Sequence, residues 1–264
     1  MASISAKDVS ALRRLTGAGM LDCKRALEET GGDMEAARRW LREKGLAGAA
    51  KLTGREALQG AVALAVAGRT AAIVELRCET DFVAKADSFV SLTDELAQLV
   101  ASKGEDATTE RSEAVDDLRT TLKENISIGQ VVRFELAADA TVGNYLHVQS
   151  GRGVNAVLVE MQGGFEELAH DVAVHIAFAR PAYLRREDVP ADELASERAT
   201  LEKMSRNEGK PEAALEKIVE GRLNGWLTER VLLEQRYARD EKRTIAQLIG
   251  NAKVMCFAQV VVGG

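Results

Sequence analysis

Apolar positions recur along this chain with two periods, and the change of period divides it. Over residues 5–44 the spacing is helical. Val9, Leu12 and Leu15 form a stripe behind Ser5 and Asp8, which stand at capping-box spacing. Thr16-Gly17-Ala18-Gly19 breaks that helix, and a second runs from about Met20 to Thr30 with Cys23, Ala26 and Leu27 apolar. Gly31-Gly32 breaks the pattern again. Asp33 then caps a third helix through Ala36, Ala37, Trp40 and Leu41 that ends at Gly45. Three helices this short bury only a small core, which suits docking better than catalysis.

Residues 45–54 are rich in Gly and Ala and read as a linker. Beyond it, the strand-like runs 61–66 and 71–76 flank Ala67-Gly68-Arg69-Thr70, a hairpin signal. Helical spacing returns at Phe89, Leu92, Leu96, Leu99 and Val100, and again at Val115, Leu118 and Leu122. A strand is expected near 131–136. Runs 144–148 and 155–161 then flank Gln149-Ser150-Gly151-Arg152-Gly153 as a second hairpin, followed by a helix over 165–179. Gly68-Arg69 and Gly151-Arg152 precede similar strands (Ile73-Val74-Glu75-Leu76 and Leu158-Val159-Glu160-Met161), so the two hairpin-then-helix units look like a diverged duplication. From Pro190 to about Arg239 the sequence is mainly helical, with a turn at 205–211. Its charge density suits a solvated antiparallel pair of helices, a coiled-coil-like arm. A short helix around 244–249 and a strand-like run over 253–262 close the chain.

Charge sharpens this division. The net charge is −6, yet residues 1–55 carry 11 Lys and Arg against 7 Asp and Glu, while the rest carries 24 against 34. A small basic module thus precedes an acidic body; the overall negative charge argues against broad nucleic-acid binding, since phosphate neutralisation needs clustered cations, and binding through the basic module would weaken steeply with salt. Charges interrupt every apolar run before it reaches the roughly 18 residues of a membrane span. The opening Met1-Ala2-Ser3-Ile4 lacks the basic-then-apolar order of a secretory signal, and the three scattered cysteines suit reduced thiols; the expected compartment is the cytoplasm.

Catalytic constellations are missing from the sequence. There is no phosphate loop, no GxGxxG after a strand and no GxSxG. His170 and His175 lie five apart on a helix, roughly 140° around its axis, a poor geometry for sharing a metal; packing or surface roles are expected for both. No enzyme activity, no metal and no cofactor are therefore expected. One segment stands out: Glu79-Thr80-Asp81-Phe82-Val83, after the strand that ends near Cys78. Periodicity favours Thr80 or Asp81 as cap of the helix containing Phe89, with Phe82 joining the core. The other reading is a loop tip that presents an aromatic ring and a carboxylate to a partner. Thr16-Gly17-Ala18-Gly19-Met20 poses the same choice between a plain turn and a recognition loop.

These two motifs together resemble one family, the bacterial elongation factor Ts proteins, guanine-nucleotide exchange factors for elongation factor Tu. The matching run is Leu12-Arg13-Arg14-Leu15-Thr16-Gly17-Ala18-Gly19-Met20-Leu21-Asp22-Cys23-Lys24-Arg25-Ala26-Leu27, followed by Glu79-Thr80-Asp81-Phe82-Val83. Glu124-Asn125-Ile126, His175-Ile176-Ala177 with Pro181, Lys217-Ile218-Val219-Glu220-Gly221-Arg222 and Leu233-Glu234-Gln235 follow in family order.

The resemblance implies an α+β fold: a ubiquitin-associated-like three-helix module over 1–54 and a duplicated α/β core with antiparallel sheets. The core's halves would span 55–140 and 141–264, the second carrying a protruding helical hairpin at about 187–236 and the C-terminal segment. It implies elongation factor Tu, a GTPase, as partner, with Thr80, Asp81, Phe82 and Val83 as the wedge that disturbs the partner's magnesium site. Met20 resembles the module's contact residue, and His147 the family histidine beside the wedge. Where the family commonly reads Ile-Gly, near the partner's phosphate loop, this chain has Leu122-Lys123, and Arg236-Tyr237-Ala238-Arg239 replaces an apolar run. The alternative from another class is a protein-interaction adaptor without exchange activity. Complexes of 1:1 and 2:2 stoichiometry both stay open.

Overall fold

A computed structural model of the chain describes residues 4–16, 18–49, 52 and 54–264. Gly17 of the predicted first turn and residues 50, 51 and 53 of the predicted linker lie outside them, as do residues 1–3. The architecture is α+β, helices with antiparallel hairpins, in two compact units. One comprises 1–133 with 148–155 and 260–264, the other 134–147 with 156–259.

The first unit opens with three helices. Helix α1 (Ala6–Thr16) starts at the expected capping box: the Asp8 N–H donates to the Ser5 hydroxyl (3.2 Å) and the Ser5 N–H to the Asp8 carboxylate (3.2 Å). Helix α2 (Met20–Glu29) buries Cys23, Ala26 and Leu27 as expected. Helix α3 (Met34–Ala49) is capped by Asp33, which accepts from the N–H groups of Glu35 and Ala36 at 2.9 and 3.0 Å. Two expectations fail here. Leu15 is 69% exposed, because a 3.6-residue repeat running through Val9 and Leu12 reaches Thr16 next; the Thr16 hydroxyl turns inward and donates to the Leu12 carbonyl at 2.7 Å. Helix α3 also continues past Gly45. A Cβ on that glycine would overlap the side chain of Thr120, so Gly45 permits a close approach rather than ending a helix.

Strands β1 (Gln59–Ala67) and β2 (Thr70–Cys78) form the first hairpin, with Ala67 opposite Thr70 and Gly68 at a φ of +61°. Helix α4 (Asp81–Ala84) and helix α5 (Asp87–Lys103) follow, the latter laying Phe89, Leu92, Leu96 and Val100 against Ala61, Ala63, Val74 and Leu76. After a 3-10 turn, α6 (Ser112–Leu122) adds Val115 to this core, and β3 (Ser127–Glu135) joins the sheet beside β2. Helix α6 is the shelf on which α3 rests, through the Gly45–Thr120 approach and an Arg42–Glu113 ion pair of 2.7 Å.

Strands β4 (Ala140–Gln149) and β5 (Arg152–Gln162) form the second hairpin. Its turn is tighter than expected: Ser150 and Gly151 alone, both at positive φ, leave Arg152 as the first residue of a strand. Helix α7 (Glu166–Ala179) packs Val172, Ala173 and Ile176 on Val157, Val159 and Met161. Helices α8 (Ala191–Asn207) and α9 (Glu212–Arg230) share a seam of Leu201, Leu215, Val219 and Leu223. Ion pairs Arg206–Glu212 (3.2 Å) and Arg198–Glu220 cross the seam in antiparallel order.

Helix α9 stops at Arg230, not near Arg239. The chain instead makes the ribbon β6 (Arg236–Tyr237) and β7 (Asp240–Thr244), the short helix α10 (Ile245–Ile249) and the strand β8 (Lys253–Val261) beside β5. The reason is visible at Gln235. Its amide donates to the carbonyls of Glu229 (2.7 Å) and Ala179 (3.3 Å) and accepts from His175 Nε2 (3.0 Å), so it meets a helix-terminal carbonyl that a continued helix would have paired. Among the described residues no helix is long and apolar enough to cross a membrane.

Two outcomes follow. Ala at position 45 gains about 1 kcal/mol of helix propensity, but overpacking a closed contact costs about 1–3 kcal/mol. Gly45→Ala should therefore lower the midpoint of thermal unfolding, and adding Thr120→Ala should restore it. In the second unit His175 is buried; its Nδ1 accepts from the Ala238 N–H (3.2 Å), which leaves the proton on Nε2. Burial pulls its pKa below the ordinary 6.5, so the unfolded chain takes up the proton first. This contribution to stability is complete above 6.5 and is lost as pH falls from 6.5 toward the lower folded value. Melting curves between about pH 7.5 and about pH 5.5 should show that loss, and His175→Gln should flatten it.

Candidate functional site

Where β2 ends at Cys78, the ladder stops and the next backbone N–H groups need new partners. Both go to one carboxylate. Glu124 Oε2 accepts from the N–H of Glu79 and of Thr80 (3.0 Å each), while its Oε1 accepts from the Thr80 hydroxyl (2.5 Å). Glu79 reciprocates, its Oε1 accepting from the Asn125 N–H (2.7 Å) and its Oε2 facing Arg55 at 3.5 Å. The Asn125 side chain donates to the Arg55 carbonyl at 2.8 Å. Three segments distant in sequence are thereby knotted at one end of the sheet.

From this knot the chain makes the single turn α4. Thr80 caps it, its hydroxyl lying 3.4 Å from the Val83 N–H. Ala84 is buried and Val83 packs partly against the core, whereas Phe82 stands 83% exposed. The expectation from periodicity, Phe82 in the core and Thr80 or Asp81 capping the helix of Phe89, is thus overturned. Lys85 and Ala86 separate two helices, and α5 begins at Asp87 with no side-chain cap. A seven-residue spacing carries no meaning across that break, since the rotation per residue is not helical there. Asp81 pairs with Lys85 at 2.5 Å, and this bond holds its carboxyl below the usual carboxylate range. Arg152, buried at the start of β5, donates to the Asp81 carbonyl (3.2 Å) and to Gln59 (3.3 Å). The buried Cys78 thiol donates to the Thr80 carbonyl at 3.2 Å, and burial pushes its pKa up to about 12.

Leu122 packs partly against the same core at the end of α6. Lys123, exposed, takes the left-handed C-cap position at φ +58° and ψ +34°. A helix favours glycine at that position, because a Cβ there costs roughly 1–2 kcal/mol. Met20 is 54% exposed at the start of α2, followed in sequence by Leu21 at 82%, and Leu15 near the end of α1 is exposed as well. His147 belongs to the second unit, on the exposed part of β4, where its Nδ1 bonds the Tyr145 hydroxyl (3.2 Å) and its ring stacks on that tyrosine. Tyr145 also meets His170 edge-on.

Thr80, Asp81, Phe82 and Val83 therefore form one turn, with Leu122 and Lys123 following from the helix that leads to its brace. Glu124, Asn125 and Arg152 escaped sequence reasoning as site residues. The first two were visible only as part of a motif, and Arg152 read as a turn residue. Among the described residues no group of His, Cys, Asp or Glu could hold a metal ion. The arrangement offers recognition: a rigid turn bearing a bare aromatic ring beside an ion-paired carboxylate.

Comparison with known proteins matches residues 79–264 to the family described as Elongation factor TS. A protein named elongation factor Ts from Lactiplantibacillus plantarum is 43% identical over 276 residues, covering 100% of this chain and 93% of its own length. Its namesake from an Arthrobacter species is 44% identical over 281 residues, covering 100% of both chains. That from Kineococcus radiotolerans is 44% identical over 266 residues, with 96% of each covered.

Proposed function

The chain belongs to the elongation factor Ts family, and on that premise we propose that it is the guanine-nucleotide exchange factor for elongation factor Tu, acting in the cytoplasm. The observation that carries the reading is the 83% exposed Phe82 on a turn whose preceding backbone is held at the Thr80 N–H and the Asp81 carbonyl. Water-exposed aromatic rings on ordered turns are anchors for a partner. Thr80, Asp81, Phe82 and Val83 act as the wedge, while Met20 with its apolar neighbours serves as the docking corner of a ubiquitin-associated-like module over 1–54. His147, Leu122 and Lys123 supply further contacts. The core over 55–140 and 141–264 is a diverged duplication, which the shared order of a hairpin plus a third strand in both sheets supports. The paired helices α8 and α9 form its protruding arm.

Such a function needs no catalytic group. An exchange factor binds its nucleotide-free partner more tightly than the nucleotide-bound one, and by linkage it weakens nucleotide binding by the same factor. A differential of about 4 kcal/mol corresponds to roughly a thousandfold. Burying an exposed phenylalanine ring contributes about 1.5–3 kcal/mol, a large part of that total if the pocket opens only when nucleotide leaves. The Asp81 carboxylate, ion-paired with Lys85 beside the ring, is the polar group the turn presents next to Phe82.

Stopped-flow release of a fluorescent GDP from elongation factor Tu tests this reading. The folded chain should accelerate release. Phe82→Ala should cut that acceleration by at least about tenfold while shifting its own stability by under about 0.5 kcal/mol, because the ring stands largely in water. Normal acceleration by the Phe82→Ala protein would sink the wedge assignment, and no acceleration by the wild-type chain would sink the function.

A further inference from the structure

The wedge is one turn of helix, too short to hold itself. A single turn fixes several dihedral angles for one hydrogen bond, so an isolated segment such as 81–84 is disordered in water. Its order must come from outside: Ala84 is buried in the core, Val83 packs partly against it, the Cys78 thiol bonds the Thr80 carbonyl, and two further side chains hold the backbone ahead of Phe82. Arg152 holds the Asp81 carbonyl, and Glu124 holds two backbone N–H groups and the Thr80 hydroxyl through both carboxylate oxygens. Glu124 itself lies at the end of α6, just past the left-handed Lys123 that swings the chain back toward the sheet. Asn125, fixed by Glu79 and Arg55, and the buried Ile126, whose carbonyl takes two bonds from Arg119, stop that segment from drifting. None of these groups carries the exposed ring, yet all of them decide where it stands.

We infer that Glu124 is a positioning residue for exchange: it presents Phe82 by clamping the backbone of Glu79 and Thr80, and acts on the partner only through that ring. The inference rests on the exchange reading for its consequence but not for its mechanics. The clamp is charge-assisted, and bonds to an ionised carboxylate are about twice as strong as neutral ones. Loss of the carboxylate leaves two backbone donors at the strand end to water, which pairs with them but does not hold them in place.

Two measurements separate the mechanics from the function. In the free protein, amide hydrogen exchange at Glu79 and Thr80 should quicken by about tenfold or more in Glu124→Ala, with the amides of α5 unchanged. Glu124→Gln keeps the shape and one acceptor oxygen, the Thr80 hydroxyl turning to accept from the new amide; its protection should fall between the two. With elongation factor Tu, Glu124→Ala should lower the saturating rate of GDP release about tenfold, and Glu124→Gln should recover most of it. In the Phe82→Ala background, Glu124→Ala should change the rate by less than about twofold, since contributions through one residue do not multiply.

Unchanged amide protection in Glu124→Ala would overturn the clamp, whatever the exchange rates. Full multiplication of the two effects would overturn the claim that Glu124 acts through the ring. If the wild-type chain failed to release GDP, the exchange reading would fall while the amide data still judged the clamp.

Discussion

A strand that ends leaves backbone donors without partners, and the architecture of the first unit turns on how the donors beyond Cys78 are met. They are met by a carboxylate 45 residues further on, so the end of the sheet, the wedge turn and the end of α6 become one object. The Glu79 N–H is part-buried and the Thr80 N–H exposed, so the carboxylate takes the place of water as their partner, and what the pairing adds is a tie between distant segments. The same knot draws in Arg55 through Asn125, where the chain arrives from the three-helix module. Recognition surfaces made of loops are usually soft; this one is tied to the end of a sheet's central strand.

Legibility in the sequence followed periodicity and capping chemistry. Both hairpins, the helices carrying Phe89 and Ile176, and the caps at Ser5 and Asp33 could be read because local physics alone decides them. Failures came where a distant group decided. Gly45 looked like a terminator until Thr120 was known to lie beneath it, and Arg239 looked helical because nothing nearby shows that Gln235 caps α9. Phe82 is the sharpest case. Its spacing from Phe89 suits a helix face, but Lys85 and Ala86 interrupt the helix, and the ring faces water. The candidate site itself was named through family resemblance, whereas its supports, Glu124 and Arg152, are legible only from the geometry.

The motifs that match the family fall into two kinds. His175 and Gln235 lie 60 residues apart in separate motifs, yet they bond each other and tie α7 to the end of α9. Arg186 and Glu234 pair in the same region, Nη2 to Oε2 at 2.7 Å. These residues build the second unit. The residues from Thr80 to Val83, by contrast, add little to any core beyond Val83 and are displayed by it. A shared motif can mean either, and burial tells which.

The thiols carry one more consequence. Cys78 is buried beneath the wedge with its pKa pushed up to about 12, and burial raises Cys256 on β8 to about 11. At neutral pH only about one in 10⁴–10⁵ of either is the thiolate that peroxides and alkylating reagents attack. The sulfur beneath the wedge turn thus stays in its unreactive thiol form at neutral pH.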